Sequence, residues 1–492
     1  MFCFFICIKR GNVMTLQITT IVFLIVLLIV FQFVKGTSRR WVLLLGSIVF
    51  ICFEGGLLGI LAVTFVTLLT YGAGRFLLSG EKKKSAAFAV IAVLVLILFG
   101  WKYIAFLAPR AELYGFSGSM NIPLPIGLSF YTFQAISYIA DICEGRVVPE
   151  RDIVNFSLYM LFFPKWMSGP IERAGTFIEQ LRFQGNIRAY SFHRITHAAA
   201  YIVWGLVLKL LIADKVAIAV DTAFGDITVL GPVTLFVVSI LYTLQIYCDF
   251  AGYTDIAIGI SKLFGIDLSK NFKTPYMAEN IKDFWRRWHM SLSSFFRDYV
   301  YIPLGGNQKG TFKKYLNTVV VFFVCGLWHG VGLSFIVWGL LHGAFSVVTD
   351  LISKTRLKFL TKGALGRIIT FLLVNFAWIF FRAASLSQAI SFIKCMIPSL
   401  NANVITAGLV NYGGEVLGLG AWDWWIIAAS VVVLIIMDHV AYKRDVFTPM
   451  VMIQGLSDNR RAVVLALVLS IVLIFGEYGS GAQVREFVYM NF

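Results

Sequence analysis

Apolar runs of membrane-spanning length recur along almost the whole chain. The first ends before Lys35, and two others cover Ala86–Leu107 and Val233–Leu263. A helix needs about 20 such residues to cross the hydrocarbon core of a bilayer. Backbone polar groups inside lipid must be satisfied within the protein, so runs of this length predict helices. The sequence therefore predicts an all-α, polytopic membrane protein with about 11 transmembrane helices plus re-entrant pieces.

The composition supports a membrane protein and narrows its partners. Of the 492 residues, 59% are hydrophobic and only 14% are charged, whereas soluble domains carry about 25% charged residues. The mean hydropathy is +0.82. The net charge of +16 then belongs mostly to the loops. It indicates cytoplasmic loops and anionic lipid headgroups of the bilayer rather than nucleic acid.

The basic clusters predict which loops face the cytoplasm, and the lack of repeats or linkers predicts the number of domains. Lys35 and Glu81–Lys84 mark two basic clusters that flank Trp41–Leu78, and the positive-inside rule places both in the cytoplasm. Trp41–Leu78 is then predicted to form a hairpin. With no internal repeat or linker in sight, residues 1–492 are predicted to form a single transmembrane domain. Met1–Val13 precedes a second methionine, so we interpret it as a mis-assigned or dispensable extension.

Two apolar regions are too irregular for simple lipid-facing helices. Phe156–Pro170 is interrupted by prolines, a glycine and Lys165. Backbone of this kind survives at membrane depth only where it packs in protein or lines a cavity. Asn271–Lys314 alternates short apolar pieces with arginines, lysines and glycines. This pattern predicts a cytoplasmic face with a re-entrant piece.

His329 lies inside an apolar run, in the sequence GLWHGVG. An ionisable side chain is costly in a membrane segment and is a functional candidate by default. A histidine with a pKa near 6.5 suits general-base catalysis, and flanking glycines would let the backbone approach a substrate. The alternative is a histidine that hydrogen-bonds a neighbouring carbonyl and merely packs helices. We favour the catalytic interpretation.

A second histidine, His289, follows a cluster of arginines and tryptophans. Arg286 and Arg287 stand between Trp285 and Trp288. Guanidinium groups bind phosphate and carboxylate bidentately, so the cluster could clamp an anionic donor. The alternative is an interfacial belt in which tryptophans lie at headgroup depth and arginines meet lipid phosphate. We prefer the belt for the tryptophans and leave both roles open for His289 and Arg286.

Other polar residues are weaker candidates for a tunnel lining. Asp249 and Gln245 lie in a membrane-length run, and Trp328 precedes His329. Asp255 does not share a helix face well with Asp249, so the two are not interpreted as a carboxylate pair. Among the remaining histidines, His193 and His197 are predicted to be interfacial and His439 to be locally hydrogen-bonded. His342 could face the same cavity as His329.

Several absent motifs narrow the chemistry. The sequence contains no phosphate-binding G-x-x-x-x-G-K-[ST] loop, no G-x-S-x-G elbow, no H-E-x-x-H pair and no C-x-x-C pair. Each of these motifs carries a known mechanism or metal site. The sequence therefore predicts no metal site, no bound cofactor and no ATP-driven step.

Five sequence blocks together resemble the membrane-bound O-acyltransferases. The chain looks most like the bacterial branch that contains the alginate O-acetyltransferase membrane subunit and the D-alanyl transfer protein of teichoic acid modification. The terminal FVYMNF is also similar to the aromatic tail of that branch. The blocks fall in a motif-bearing core at residues 120–345 and comprise Pro123–Asp141, Phe162–Arg173, Tyr247–Ile266, Asn271–Asn307 and Gly326–Gly330.

The resemblance implies a fold and an activity. The fold would be a helical ring with a thin centre, pierced by a tunnel between the two membrane faces. The catalytic histidine of the W-H-G motif would be His329, and the second essential histidine would be His289. An acyl thioester, such as acetyl-CoA, would arrive from the cytoplasm. A hydroxyl, usually on a polysaccharide, would accept the acyl group from the opposite side.

These observations predict a multi-pass O-acetyltransferase of the bacterial cytoplasmic membrane that modifies an exported or cell-surface polysaccharide. An extracytoplasmic partner resembling SGNH hydrolases could complete the transfer. Within the family, the alternative is D-alanyl transfer to teichoic acid from an acyl carrier protein. A transporter or flippase without acyl chemistry is a third class, because broken helices and polar residues also build transport paths. The lack of an internal two-fold repeat argues against it.

Overall fold

The computed structural model describes residues 13–77, 83–108, 123–182, 191–397 and 416–478. Within these ranges the regular structure is helical, and the only β-type pairing is an isolated bridge between Val416 and Leu419. The prediction of an all-α protein is therefore confirmed. The predicted extension, apart from its last residue, and the aromatic C-terminal tail lie outside the described residues.

Six helices in the described part of the chain are long and apolar enough to cross a membrane. This confirms a polytopic membrane protein, while the predicted total of about 11 spans remains a prediction. The six are Ser38–Phe76, Lys84–Leu107, Pro232–Leu263, Leu333–Ile352, Gly363–Arg382 and Ala421–Arg444.

The chain divides into two compact units. The first contains residues up to Ile202 together with Ala257–Lys270. Its described helices are α1 (Val13–Phe33), α2 (Ser38–Phe76), α3 (Lys83–Leu107), α4 (Leu128–Cys143), α5 (Ile153–Leu161), α6 (Phe163–Trp166), α7 (Ala174–Arg182) and most of α8 (Phe192–Leu206).

The second unit contains Val203–Ile256 and the chain from Asn271 onward, up to Val488. It begins with a π-helical stretch, Val207–Ala213, and a second π-helical turn, Arg297–Tyr301, follows α12. Three short 3-10 helices are Ile227–Val229, Pro275–Met277 and Arg356–Thr361. Its α-helices are α9 (Asp214–Gly225), most of α10 (Pro232–Leu263), α11 (Ile281–Arg287), α12 (Met290–Phe296), α13 (Gly310–His329), α14 (Leu333–Ile352), α15 (Gly363–Arg382), α16 (Leu386–Met396), α17 (Ala421–Arg444), α18 (Thr448–Val451) and α19 (Asp458–Phe475).

The region of the predicted hairpin, Trp41–Leu78, consists of two helical parts of α2 that meet at a kink. Helix α2 leaves helical geometry at Gly56, where φ is +60° and ψ is −165°. Only glycine adopts such a conformation without a large steric cost. The chain is helical again directly after Gly56, so a kink rather than a loop joins the two parts.

The irregular segment Phe156–Pro170 of the first unit packs inside protein. Helix α5 ends, α6 follows after a break at Phe162, and the Lys165 side chain is fully buried. The Lys165 ammonium donates to the Gln134 side chain and, at 2.6 Å, to the Tyr159 carbonyl oxygen. These contacts compensate part of the cost of burying a charge. The segment is thus packed inside protein, which is the first of the two predicted alternatives.

Helices α13 and α14 form a tight antiparallel hairpin in the second unit. A Cβ at Gly326 would lie 2.5 Å from the Phe335 carbonyl oxygen, and a Cβ at Gly339 would lie 2.3 Å from the Phe322 carbonyl oxygen. Both distances are far below van der Waals contact, so glycine is required at each position. The close approach places the end of α13, where His329 lies, directly against the start of α14.

Candidate active site

His329 is the last residue of α13 and is 1% exposed. Its ring lies 4.7 Å from Trp328, 4.9 Å from Trp338 and 5.2 Å from Phe381, measured between ring centroids. An aromatic surround of this kind excludes bulk water, which strengthens any electrostatic interaction with a bound substrate.

The glycines beside His329 have a different role from the one we predicted. A Cβ at Gly326 would meet the Phe335 backbone, and a Cβ at Gly330 would lie 2.4 Å from the Phe335 ring. The space beside both glycines is therefore filled by α14. The close approach that the sequence predicts is real, but here the approaching group is a neighbouring helix rather than a substrate.

His289 lies at the break between α11 and α12, where it is the N-cap residue of α12 and fully buried. Its backbone is left-handed, with φ at +42° and ψ at +55°. A non-glycine residue pays about 1–2 kcal/mol for this conformation, and such strain often marks functional sites. The turn ends α11 and directs the His289 ring against Phe250, at 4.7 Å between centroids.

Asn271 fixes the start of α12 next to His289. The Asn271 carbonyl oxygen accepts a hydrogen bond from the Met290 backbone N–H at 2.9 Å. The Asn271 side-chain oxygen accepts from the Ser291 hydroxyl at 2.6 Å. Both bonds connect the residues that follow His289 to Asn271. They therefore stabilise the strained turn that orients the histidine.

Trp328 lies between the two predicted histidines. Its ring centroid is 4.7 Å from that of His329 and 6.3 Å from that of His289. The structure therefore brings His289, His329 and Trp328 into one cluster, although His289 is far from the other two in sequence. The indole is 2% exposed and is a wall between the histidines rather than an interfacial anchor.

A cavity of about 350 Å³ opens in the second unit beside these histidines. Its size is at the lower end of the roughly 300–1,000 Å³ of small-molecule sites. Apolar side chains and four cations line it. The lining residues are Lys282, Trp285, Arg286, Leu292, Ser293, Phe296, Arg297, Tyr301, Lys314, Thr318, Val321, Phe322, Cys325 and Ser346.

Two of the helices that line the cavity, α12 and α13, also carry the two histidines, each four residues from a lining residue. On α13, the lining residue Cys325 is four residues before His329. On α12, the lining residue Ser293 is four residues after His289. Residues four apart lie on the same helix face, about 6 Å apart along the axis. One helical turn therefore separates each histidine from the cavity wall.

Most of the positive charge around the cavity is neutralised by acidic neighbours. Asp350 accepts from Lys282, from Lys314 at 2.7 Å and from Lys354 at 3.0 Å. Arg297 pairs with the adjacent Asp298. Within the described ranges Arg286 forms neither a hydrogen bond nor an ion pair, and its side chain is exposed.

The two arginines of the RRW sequence therefore differ. Arg286 lines the cavity. Arg287 instead donates to Asp283 at 2.9 Å and to the Lys273 carbonyl oxygen at 3.3 Å, and its guanidinium lies over the Tyr442 ring. Arg287 thus holds α11 to neighbouring backbone and is not placed at the cavity, although the sequence predicts the same donor-binding role for both.

Trp285 also lines the cavity, whereas the sequence favours an interfacial position for this tryptophan over a donor-binding or tunnel role. Its indole N–H donates to Nδ1 of His342 at 3.3 Å. From the sequence alone, His342 has no more than a possible place facing the His329 cavity. Only the tertiary structure shows its contact with Trp285, because the two residues lie on different helices.

The predicted tunnel residues Asp249 and Gln245 are buried on α10 but do not line this cavity. Asp249 accepts from the Lys209 ammonium at 2.7 Å, and Lys209 also pairs with Asp214 at 2.8 Å. Sequence reasoning missed Lys209, although a lysine inside an apolar run is itself a signal of an intramembrane ion pair. Gln245 Oε1 has no hydrogen-bond partner among the described residues.

Comparisons with known proteins converge on one family. The sequence matches the model of MBOAT, the membrane-bound O-acyltransferase family, over residues 45–388. A probable alginate O-acetylase AlgI of Pseudomonas putida is 36% identical over 273 residues, which cover 55% of this chain and 54% of that protein. A peptidoglycan O-acetyltransferase of Helicobacter pylori is 36% identical over 305 residues, covering 57% of this chain and 58% of that protein.

More distant relatives carry a different acyl group. A teichoic acid D-alanyltransferase of Bacillus subtilis is 29% identical over 251 residues, covering 48% of this chain and 61% of that protein. The chain spans about half the length of the curated relatives that it matches. The family match covers well over half of the chain and includes both His289 and His329. The resemblance predicted from the motifs is thereby confirmed: the chain belongs to the membrane-bound O-acyltransferase family.

Proposed function

We propose that this protein transfers an acetyl group from a thioester donor to a hydroxyl of an exported or cell-surface polysaccharide. The observation that carries the proposal is the cavity, whose lining includes one unpaired cation, Arg286, and whose α12 and α13 walls continue to His289 and His329. This arrangement suits a slender donor with an anionic head and a reactive carbonyl at its other end. The thioester arm of coenzyme A has that form.

The cations that line the cavity indicate from which side of the membrane the donor enters. Arg286 and Lys282 are exposed, and further lysines, Lys309 and Lys313, lie immediately before and within the first turn of α13. Under the positive-inside rule such a basic surface faces the cytoplasm. The donor would therefore enter from the cytoplasm of a bacterium, whose inner membrane would hold the protein, and the acceptor hydroxyl would come from the opposite side.

His329 is the proposed general base. Its imidazole removes the proton of the acceptor hydroxyl as the oxygen attacks the thioester carbonyl carbon, which gives a tetrahedral oxyanion. When the intermediate collapses, the C–S bond breaks and the thiolate leaves. The imidazolium returns its proton to that sulfur, so the products are an acetyl ester and a free thiol. No net proton is gained or lost.

His289 is the proposed partner at the carbonyl. The His289 and His329 rings both pack against Trp328, so both histidines belong to one cluster. A donor aimed at the developing oxyanion stabilises the transition state and is typically worth about 2.7–4 kcal/mol. His289 would supply this hydrogen bond, whereas the aromatic surround would keep water from hydrolysing the thioester.

The acceptor class rests on the relatives. Proteins named as alginate and peptidoglycan O-acetyltransferases are 36% identical to this chain, and the D-alanyltransferases are less similar. An extracytoplasmic acetyltransferase that resembles SGNH hydrolases would be the partner if the acetyl group is relayed rather than delivered directly.

Ester analysis of cells tests the proposed function. Deleting the gene is expected to remove ester-linked acetate from the surface polysaccharide, and the wild-type gene on a plasmid should restore it. Acetate would be released by mild base and quantified from purified polysaccharide. D-alanine released from the same samples is the control. Unchanged acetate with lost D-alanine would replace acetyl transfer by D-alanyl transfer, and no change in either would overturn acyl transfer to these polymers.

Replacing Arg286 with alanine is expected to weaken donor binding. A charge-assisted hydrogen bond contributes about 1.5–3 kcal/mol, so the KM for acetyl-CoA should rise about 10-fold or more with little change in kcat. The measurement is the rate of ester formation in membrane vesicles across a range of donor concentrations. An unchanged KM would remove Arg286 from the donor site.

Two variants control the Arg286 experiment. Arg286→Lys keeps the positive charge and should recover part of the affinity. Arg356→Ala removes another exposed arginine of the same unit that does not line the cavity. It should leave the KM unchanged, which separates a local contact from a general effect of net charge.

A further inference from the structure

A third histidine is related to the cavity in the same way as His289 and His329. Ser346 of α14 lines the cavity, and His342 lies four residues before it. The Ser346 hydroxyl donates to the His342 carbonyl oxygen at 2.8 Å. Three of the helices that line the cavity thus each carry a buried histidine one turn from a lining residue. Sequence spacing alone does not indicate this relation.

The hydrogen bond from Trp285 defines the protonation of His342. The indole Nε1–H can only donate, so Nδ1 of His342 is the acceptor at 3.3 Å and carries no proton. The neutral ring must then carry its hydrogen on Nε2. Its Nε2 has no hydrogen-bond partner within the described ranges. The same ring therefore has no available lone pair with which to act as a general base.

The packing around His342 favours a neutral ring. The side chain is fully buried. Its ring stacks at 8° on Phe284, with centroids 6.2 Å apart, and meets Trp338 edge-on at 5.0 Å. Charging such a ring would bury a cation among aromatic side chains, which is unfavourable. His342 is thus a fixed hydrogen-bond acceptor in an aromatic cluster.

His342 and His329 lie at different positions along the α13–α14 hairpin, so we expect them to have different roles. Next to His342, Gly343 packs on Val319 and Phe322 of α13, well before the end of that helix. His342 therefore lies beside the middle part of α13. Its link to the proposed base is indirect, since Trp338 contacts both His342, at 5.0 Å, and His329, at 4.9 Å.

We propose that His342 is a positioning residue that holds the Trp285 indole as one wall of the donor cavity. With this wall fixed, the thioester arm is confined to the path along α13 that ends at His329. The inference rests on the proposed function for its kinetic part only. The orientation of Trp285 and the closure of the cavity are properties of the protein without substrate.

Alkylation of Cys325 measures that closure without any acyl transfer. Cys325 lines the cavity and is 2% exposed. Purified protein in detergent would be treated with N-ethylmaleimide, and the rate of Cys325 modification followed by mass spectrometry of its peptide. His342→Phe keeps an aromatic ring but removes the acceptor, so Trp285 is released. Cys325 should then react several-fold faster than in the wild type.

Three further variants identify the hydrogen bond as the cause. Trp285→Phe removes the donor and should raise the alkylation rate as His342→Phe does. The double variant should match either single variant, because one interaction cannot be lost twice. His342→Asn places a side-chain oxygen near the former Nδ1 and should restore slow alkylation. His439→Phe, at an exposed histidine of α17, is the matched control and should leave the rate unchanged.

The kinetic readout follows from the loss of a neutral hydrogen bond, which weakens binding by about 2- to 13-fold. His342→Phe should raise the KM for acetyl-CoA by a factor in that range while kcat falls less. Unchanged Cys325 alkylation in well-folded His342→Phe, or additive effects in the double variant, would overturn the positioning role. Fast alkylation with no acetyl transfer by the wild type would instead overturn the proposed function and leave the positioning role standing.

Discussion

Replacing His329 with alanine is expected to lower acetyl transfer by about 100- to 10,000-fold, which is the usual contribution of a general base. The imidazole is the only proposed acceptor for the hydroxyl proton, and its ring is 1% exposed. The measurement is ester formation in vesicles at saturating donor. Because the loss concerns the chemical step, kcat should fall while the KM for the donor changes little.

Two variants show whether a loss at His329 reflects chemistry or folding. His329→Gln fills most of the space against Trp338 and Phe381 but cannot act as a base at neutral pH, so it should be as inactive as the alanine variant. His439→Ala removes an exposed histidine on α17 and should keep full activity. Wild-type turnover in a properly inserted His329→Gln protein would contradict the assignment of the base.

Replacing Lys209 with methionine is expected to destabilise the second unit by about 3–5 kcal/mol, the cost of removing one partner from a buried ion pair. Lys209 is 1% exposed and its ammonium lies 2.7 Å from Asp249 and 2.8 Å from Asp214. Methionine preserves the volume of the chain but leaves two buried carboxylates without their shared cation. The protein should unfold at a markedly lower temperature in detergent, or fail to accumulate in the membrane.

The matched control is an ion pair of similar length near the surface of the same unit. Arg382 and Asp221 are 2.7 Å apart, with side chains that are 26% and 45% exposed. Arg382→Met should cost less than about 1 kcal/mol, because water already screens the pair. Equal losses in Lys209→Met and Arg382→Met would show that burial of the Lys209 cluster does not set its contribution.

The sequence alone determined the class of the protein, its membrane-spanning character and the positions of His289 and His329. Hydropathy is a local property: a run such as Pro232–Leu263 needs no tertiary partner to be recognised. The motifs around the two histidines are also contiguous in sequence, so they could be matched to the family without knowledge of the fold.

Only the tertiary structure decided what each polar residue does. Arg286 and Arg287 are neighbours in sequence, yet one lines the cavity and the other is held by Asp283 and the Lys273 backbone. Lys282 and Lys314 both pair with Asp350 and are therefore not available to bind a donor. The reason is that ion pairs and hydrogen bonds depend on distances between residues remote in sequence, which local patterns do not contain.

The same reason explains the glycines of the α13–α14 hairpin and the third histidine. The sequence predicts a close backbone approach at Gly326, but only the fold shows that Phe335 makes it. His342 stands in an apolar run like any packed histidine, and its bond to Trp285 joins α14 to α11. Composition and spacing determined which residues are unusual, whereas helix packing decided which of them meet.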